Sequence, residues 1–146
     1  MSTYYSLRYH WICSTKERRP FISPDWRPRF HEYLGGTVRG LMGIALEVGG
    51  IDDHVHLLAG LKTTHCVAGF SRELKKAGSA WARENGDAEF TWQKGYSVFT
   101  VSQSRVQETR WYIQGQEEHH RKRSFEDELR AILRKHGIEY DPKYLV

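Results

Sequence analysis

The feature that most limits the folds open to this chain is the order in which its apolar residues change spacing. Alternation marks Tyr4–Cys13, where Tyr5, Leu7, Tyr9, Trp11 and Cys13 share one side of a segment rich in β-formers. Helical spacing follows at Trp26, Phe30, Tyr33, Leu34 and Leu41, entered through Ser23-Pro24-Asp25 as N-cap, first-turn proline and first-turn acid. Alternation returns at Ile44, Leu46 and Val48 and again over Ile51–Leu58, with Gly49-Gly50 as the turn of a hairpin. Val67, Phe70, Leu74, Ala77 and Trp81 then form a second helical stripe, closed by Asn85-Gly86-Asp87, before Ser97, Phe99 and Val101 alternate in a fourth strand. The order β-α-β-β-α-β predicts an α+β fold of the ferredoxin-like (split βαβ) kind, one antiparallel sheet with two helices on one face.

Two further helices are expected at the C-terminus. Ser104-Arg105-Val106-Gln107 has capping-box spacing and opens a helix carrying Trp111, Tyr112, Ile113 and Gln116. A basic link, His119 to Arg123, leads to a last helix capped at Ser124, with Phe125, Leu129, Leu133 and His136 as its apolar side and Gly137 as its stop. At 146 residues the chain reads as a single domain over 1–146, with a core over 1–116 and a C-terminal helical extension over 117–146. No apolar run approaches the ~18 residues of a membrane span, and Met1–Tyr5 lacks the basic and apolar parts of a secretory signal. A cytoplasmic protein is expected. Cys13 and Cys66 stand alone, without CxxC spacing, and read as free thiols. The net charge of +4 suits a polyanionic partner.

Chemistry concentrates in the third predicted strand. His54 and His56 point to the sheet face opposite Val55 and Leu57, with Asp52 and Asp53 just before them. The topology puts this strand centrally and turns its histidine face away from the two helices. Two such imidazoles are a ready ligand pair for a divalent metal, or else two hydrogen-bonded and idle histidines. Tyr112 and Gln116 share a helix face one turn apart. Taken alone, Tyr112 reads as a packing residue beside Trp111 and Ile113. His10 alternates toward the histidine face and is a rival ligand; His119 and His120, seven and eight residues past Tyr112, read as phosphate or solvent contacts, or as metal ligands if the helix brings them near the site. His31, His65 and His136 read as ordinary helix residues. No third His, Asp or Glu stands at a familiar zinc spacing, which argues against a zinc hydrolase.

Taken together, the motifs resemble a family. His-x-His on a strand with Tyr-x-x-x-Gln on a helix, in Asp53-His-Val-His-Leu-Leu58 and Tyr112-Ile-Gln-Gly-Gln-Glu-Glu-His-His-Arg-Lys122, is similar to the single-tyrosine HUH transposases of the smallest bacterial insertion sequences, the IS two-hundred / IS six-oh-five group. Tyr9-His-Trp-Ile-Cys-Ser-Thr-Lys-Glu-Arg-Arg-Pro20, Trp92-Gln-Lys-Gly-Tyr96, Phe125-Glu-Asp-Glu-Leu129 and Gly137-Ile-Glu-Tyr140 extend the resemblance over nearly the whole chain. It implies a transposase that cuts and rejoins single-stranded DNA. Tyr112 would be the nucleophile, and His54, His56 and Gln116 the ligands of Mg²⁺ or Mn²⁺. It also implies DNA with hairpin ends, a homodimer and a nucleoid location in a bacterial cell. Lys16, Arg18 and Arg19, with Arg121, Lys122 and Arg123, suit phosphate contacts or a solvated face. Trp92 and Tyr96 suit base stacking or core packing. The alternatives are a domesticated relative that binds or processes chromosomal hairpins and a non-catalytic nucleic-acid-binding module on the same sheet topology.

Overall fold

The computed structural model describes residues 1–145. Strands β1 (Arg8–Ser14), β2 (Ile44–Gly50), β3 (His54–Gly60) and β4 (Ser97–Thr100) form one sheet in the order β2-β3-β1-β4, and every neighbouring pair is antiparallel. Helices α1 (Arg27–Gly40) and α2 (Val67–Asn85) cover one face. There Trp11, Val55, Leu57 and Ala59 pack with Phe30, Leu34 and Val38 of α1 and Phe70 and Leu74 of α2. This is the predicted ferredoxin-like α+β arrangement. Burial of the apolar stripes holds it together, and the buried indole of Trp11 keeps a partner by donating to Ser71 Oγ at 2.9 Å. Trp92 packs partly buried against this core, its ring 6.0 Å from Phe30 and its N–H donated to Lys75 O, so core packing is the role its contacts serve.

Several boundaries differ from the sequence reading, each for a local reason. β1 opens at Arg8 rather than Tyr4, because Arg8 pairs with Gly60, the last residue of β3, and Tyr4 and Tyr5 lie exposed beyond it. α1 opens at Arg27. Ser23-Pro24-Asp25 is a separate turn in which Ser23 O accepts from the backbone of Trp26 and Arg27, and Pro28 is the first-turn proline. In β2 a bulge lies between Ala45, paired with Ala59, and Glu47, paired with Leu58. The extra residue shifts the alternation, so Ala45 and Val48 meet the core while Ile44 is exposed. Gly49 and Gly50 are the last residues of β2, paired with His56 and Val55, and residues 51–53 make the turn.

Three helices lie on the histidine side of the sheet: α3 (Val106–Gln114), α4 (Gln116–Lys122) and α5 (Phe125–Lys135). The expected capping box does not form. Ser104 Oγ pairs with Ser102 Oγ at 3.1 Å, and a 3-10 turn over Gln103–Arg105 leads into α3. The expected single helix through Gln116 breaks at Gly115, and the basic segment from His119 is helical rather than a link. α5 is capped as expected, with Ser124 Oγ accepting from Asp127 N at 3.2 Å, and Gly137 follows it at φ 65°. Phe125, Leu129 and Leu133 pack with Ile12 and Phe99 in a second, smaller core. Among the described residues no helix is long and apolar enough to cross a membrane.

Candidate active site

The site starts from the period of β3. Alternation sends Val55 and Leu57 into the main core and leaves His54 and His56 on the other face, beside His10 of β1. Gly49 then decides how close the next layer lies. A Cβ there would stand 2.5 Å from the backbone oxygen of Ile113, so only glycine lets α3 settle on the sheet at this point. That seat places the Tyr112 ring 5.6 Å from His56, and beyond Gly115 it brings Gln116 Oε1 to 3.0 Å from His54 Nε2.

A residue that the sequence reading missed ties these groups together. Glu128, on α5, accepts from His56 at 3.0 Å through Oε1 and from the Tyr112 hydroxyl through Oε2. Its Oε1 lies 3.8 Å from His54 Nε2, and its Oε2 lies 3.1 Å from His119 Nε2 and 3.2 Å from His120 Nε2. His54 and His56 are 0% exposed and Gln116 and Glu128 1%, so the cluster is buried beneath α4 and α5. Phe125 completes the cover, its ring 4.4 Å from that of His54. Oxygen and nitrogen partners hold the far sides of the imidazoles: His54 Nδ1 meets Asp53 Oδ1 at 2.8 Å, and His56 Nδ1 meets His10 Nε2 at 2.7 Å. When His54 gives its Nδ1–H to Asp53, its Nε2 carries a lone pair facing Gln116 Oε1, itself an acceptor. Acceptors converging on one point are what a cation requires.

Burial sets the protonation states. It lowers His10 to about 3 and His56 to about 4, so both are neutral and able to ligate at neutral pH. Burial also raises the Tyr112 phenol well above its ordinary value, and the charge of Glu128 and the hydrogen bond to it push the same way. Glu128 is driven opposite to what burial alone would do: hydrogen bonds from His56 and Tyr112 and the neighbouring imidazoles hold its carboxyl far below the usual range. A cleft of about 650 Å³ opens onto Tyr112, Glu128, His119 and His10, with Arg105, Arg123 and Lys135 among its walls.

The family model described as "Transposase IS200 like" matches residues 3–116. The chain belongs to the IS200-like transposases. Its cluster of His54, His56 and Glu128 beside Tyr112 is an HUH-type tyrosine transposase active site, the architecture of an enzyme that cuts and transfers single strands of DNA. Two solved structures share the fold. One, described as a candidate transposase from Deinococcus radiodurans R1, is 24% identical with a TM-score of 0.64, over 80% of this chain and 95% of that one. The other, a REP-associated tyrosine transposase bound to a REP hairpin, is 16% identical with a TM-score of 0.58, over 79% of this chain and 72% of that one. No curated protein matches the chain.

Within this IS200-like framework the structure gathers His54, His56, Tyr112 and Gln116 at one point, and adds His10, His119, His120 and Glu128. Glu128, 72 residues from His56 and at no familiar ligand spacing, joins the histidine pair beside the expected Gln116. The reading of His119 and His120 as phosphate or solvent contacts gives way to their place at Glu128 Oε2, because the segment is helix and carries them one turn past Gln116. Glu128 had left a signal, since it falls three residues after Phe125 on the apolar stripe of α5, where an acid is out of place. The buried His54, His56 and Glu128 set can hold a divalent metal. The predicted basic residues lie around the site rather than in it. Arg18 sits over the Phe125 ring at 5.7 Å, Arg19 pairs with Glu17, Arg121 and Lys122 pair with Glu118, Lys16 is exposed, and Arg123 lines the cleft.

Proposed function

We propose that Tyr112 is the nucleophile of DNA strand cleavage and that His54, His56 and Gln116 hold Mg²⁺ or Mn²⁺, with Glu128 against the same group. The donor set fits a divalent ion: two imidazole nitrogens, an amide oxygen and a carboxylate, the His54, His56 and Glu128 atoms lying within 4.8 Å of one another. When bound there, the ion supplies Lewis-acid polarisation of a phosphate oxygen. The observation that carries the reading is the shared carboxylate. One buried side chain, Glu128, accepts from Tyr112 on one oxygen and from His56 on the other, so nucleophile and metal ligands are held as a unit.

The Tyr112 oxygen attacks the scissile phosphorus. The tyrosyl O–P bond forms and the P–O3′ bond breaks, leaving a 5′-phosphotyrosine and, once the 3′ oxygen takes a proton, a free 3′-hydroxyl. Attack of a 3′-hydroxyl on that ester reverses the exchange and returns the phenol without an external energy source. Arg105, Arg123 and Lys135 in the cleft suit the flanking phosphates, and Lys16, Arg18, Arg19, Arg121 and Lys122 suit the approaching strand. We read 1–146 as one domain, since the extension beyond 116 supplies Glu128 to the core. The substrate reading is single-stranded DNA with hairpin ends, handled by a homodimer; the likeness to a hairpin-bound transposase supports the hairpin. The same likeness favours the alternative of a domesticated relative acting on chromosomal hairpins.

The test mixes the full chain with labelled single strands from the flanks of its own gene and Mg²⁺ or Mn²⁺. An SDS-stable protein–DNA band, lost with EDTA and in Tyr112→Phe, is expected. Binding with no adduct on any flank and with either metal would leave a hairpin-binding protein.

A further inference from the structure

Glu128 is as crowded by imidazole on its second oxygen as on its first. Oε1 faces His56 and His54, as the proposed first metal position requires, while Oε2 faces His119 Nε2 at 3.1 Å and His120 Nε2 at 3.2 Å. We infer that His119, His120 and Glu128 Oε2 form a second divalent-metal site, joined to the first through the Glu128 carboxylate.

The geometry is that of a ligand set. The three donor atoms lie within 4.8 Å of one another. Separations of 3.1 and 3.2 Å match the edge, about 3.3 Å, of a tetrahedron of ~2.0 Å bonds around an ion. His119 Nε2 is buried and makes no hydrogen bond despite its distance from Oε2, which leaves a desolvated nitrogen unsatisfied unless a cation takes its lone pair. His120 is oriented as metal-binding histidines are: its Nδ1 meets the backbone oxygen of Arg123 at 2.9 Å, and its Nε2 lies between Glu128 Oε2 and Gln116 Oε1, the latter at 2.9 Å. His119 and His120 fall three and four residues after Gln116, so one face of α4 serves both positions.

Two imidazoles and one carboxylate select a borderline transition ion such as Mn²⁺ or Zn²⁺ over Mg²⁺, which prefers oxygen and water. The site abuts the proposed nucleophile. The His119 and Tyr112 rings are 5.2 Å apart, and the Tyr112 hydroxyl shares Oε2. The inference rests on the first ion being held by His54 and His56, and the test separates the two.

The full chain is stripped with EDTA, equilibrated with Mn²⁺ and freed of excess, and its ions are counted by elemental analysis. Two per chain are expected, falling to one in His119→Asn/His120→Asn and to one in His54→Ala/His56→Ala. His119→Asn alone removes a nitrogen with no hydrogen bond, and a count that drops with an unchanged urea midpoint reads the site apart from folding. Electron paramagnetic resonance of the wild-type chain needs no variant and should show a spin-coupled pair. A single uncoupled ion, lost with His54 and His56 but kept without His119 and His120, would overturn the second site and leave the proposed function intact. A single ion with the opposite dependence would overturn the first metal position, and with it the joined pair and the proposed ligand set. Two ions that survive the His119→Asn/His120→Asn change would place the second ion elsewhere and overturn this site.

Discussion

Tyr112 and Glu128 stand on different helices, sixteen residues apart, and the phenol of one donates a hydrogen bond to the carboxylate of the other. That single contact fastens α5 to α3 at the point where the HUH histidines converge. It also charges the phenol's surroundings negatively, which keeps Tyr112 protonated.

Glu128→Gln tests that electrostatic link. The amide keeps a hydrogen-bond acceptor but removes the charge, so the Tyr112 ionisation falls toward the ordinary phenol value of about 10 and stays above it, because burial remains. The difference in tyrosinate absorbance between Glu128→Gln and the Glu128→Gln/Tyr112→Phe double variant reads it directly. An ionisation as high as in the unaltered chain would mean that burial alone sets it.

Gly49 is the point on which α3 rests. Gly49→Ala drives a methyl into the backbone at Ile113 and should cost about 1–3 kcal/mol in urea denaturation, with a matching fall in adduct formation as Tyr112 and Gln116 move off the histidines. Gly40→Ala, with nothing within 4 Å of the added carbon and a helical backbone that favours alanine, is the control and should leave stability unchanged or raise it by up to about 1 kcal/mol. Equal effects at both positions would contradict the close approach of α3.

Acid should loosen the metal-free chain. Burial lowers His10 to about 3 and His31 and His56 to about 4, against 6.5 when unfolded. Between those limits the unfolded chain binds more protons, so the stability these groups contribute is complete above pH 6.5 and drains away as pH falls toward 4. Urea midpoints in EDTA at pH 7.5, 6 and 5 should decrease in that order. His31→Gln should flatten the slope, since His31 Nε2 has no partner to lose. Midpoints that held steady or rose on acidification would refute the assignment.

The strand and helix order was legible because each element buries one face, and burial leaves a period. Tyr9, Trp11 and Cys13 of β1 and Phe70 and Leu74 of α2 fall where alternation and helical spacing put them. Most of what escaped has little or no local signature. The bulge after Ala45 is a property of the pairing with Ala59 and Leu58, not of β2 itself. Gly49-Gly50 has the composition of a turn, yet Gly49 is small because a helix more than sixty residues later lies on it. In the site, His54 and His56 stood out by their one-residue spacing, whereas Tyr112 and Gln116 took their roles only from the resemblance of the whole set of motifs to a family. Glu128 reaches His56 across 72 residues, and beside Ser124 it passed as one more first-turn acid.

The central claim is that the Tyr112 oxygen becomes the phosphate ester, and peptide mapping of the adduct tests it most directly. Trypsin cuts after Arg110 and Arg121, releasing Trp111–Arg121 with Tyr112 as its only tyrosine. After nuclease trimming of the bound strand, this peptide should carry one nucleotide monophosphate on Tyr112, joined through the 5′ phosphate. A nucleotide on any other residue, or cut strands with free 5′ phosphates beside an unmodified peptide, would contradict the account.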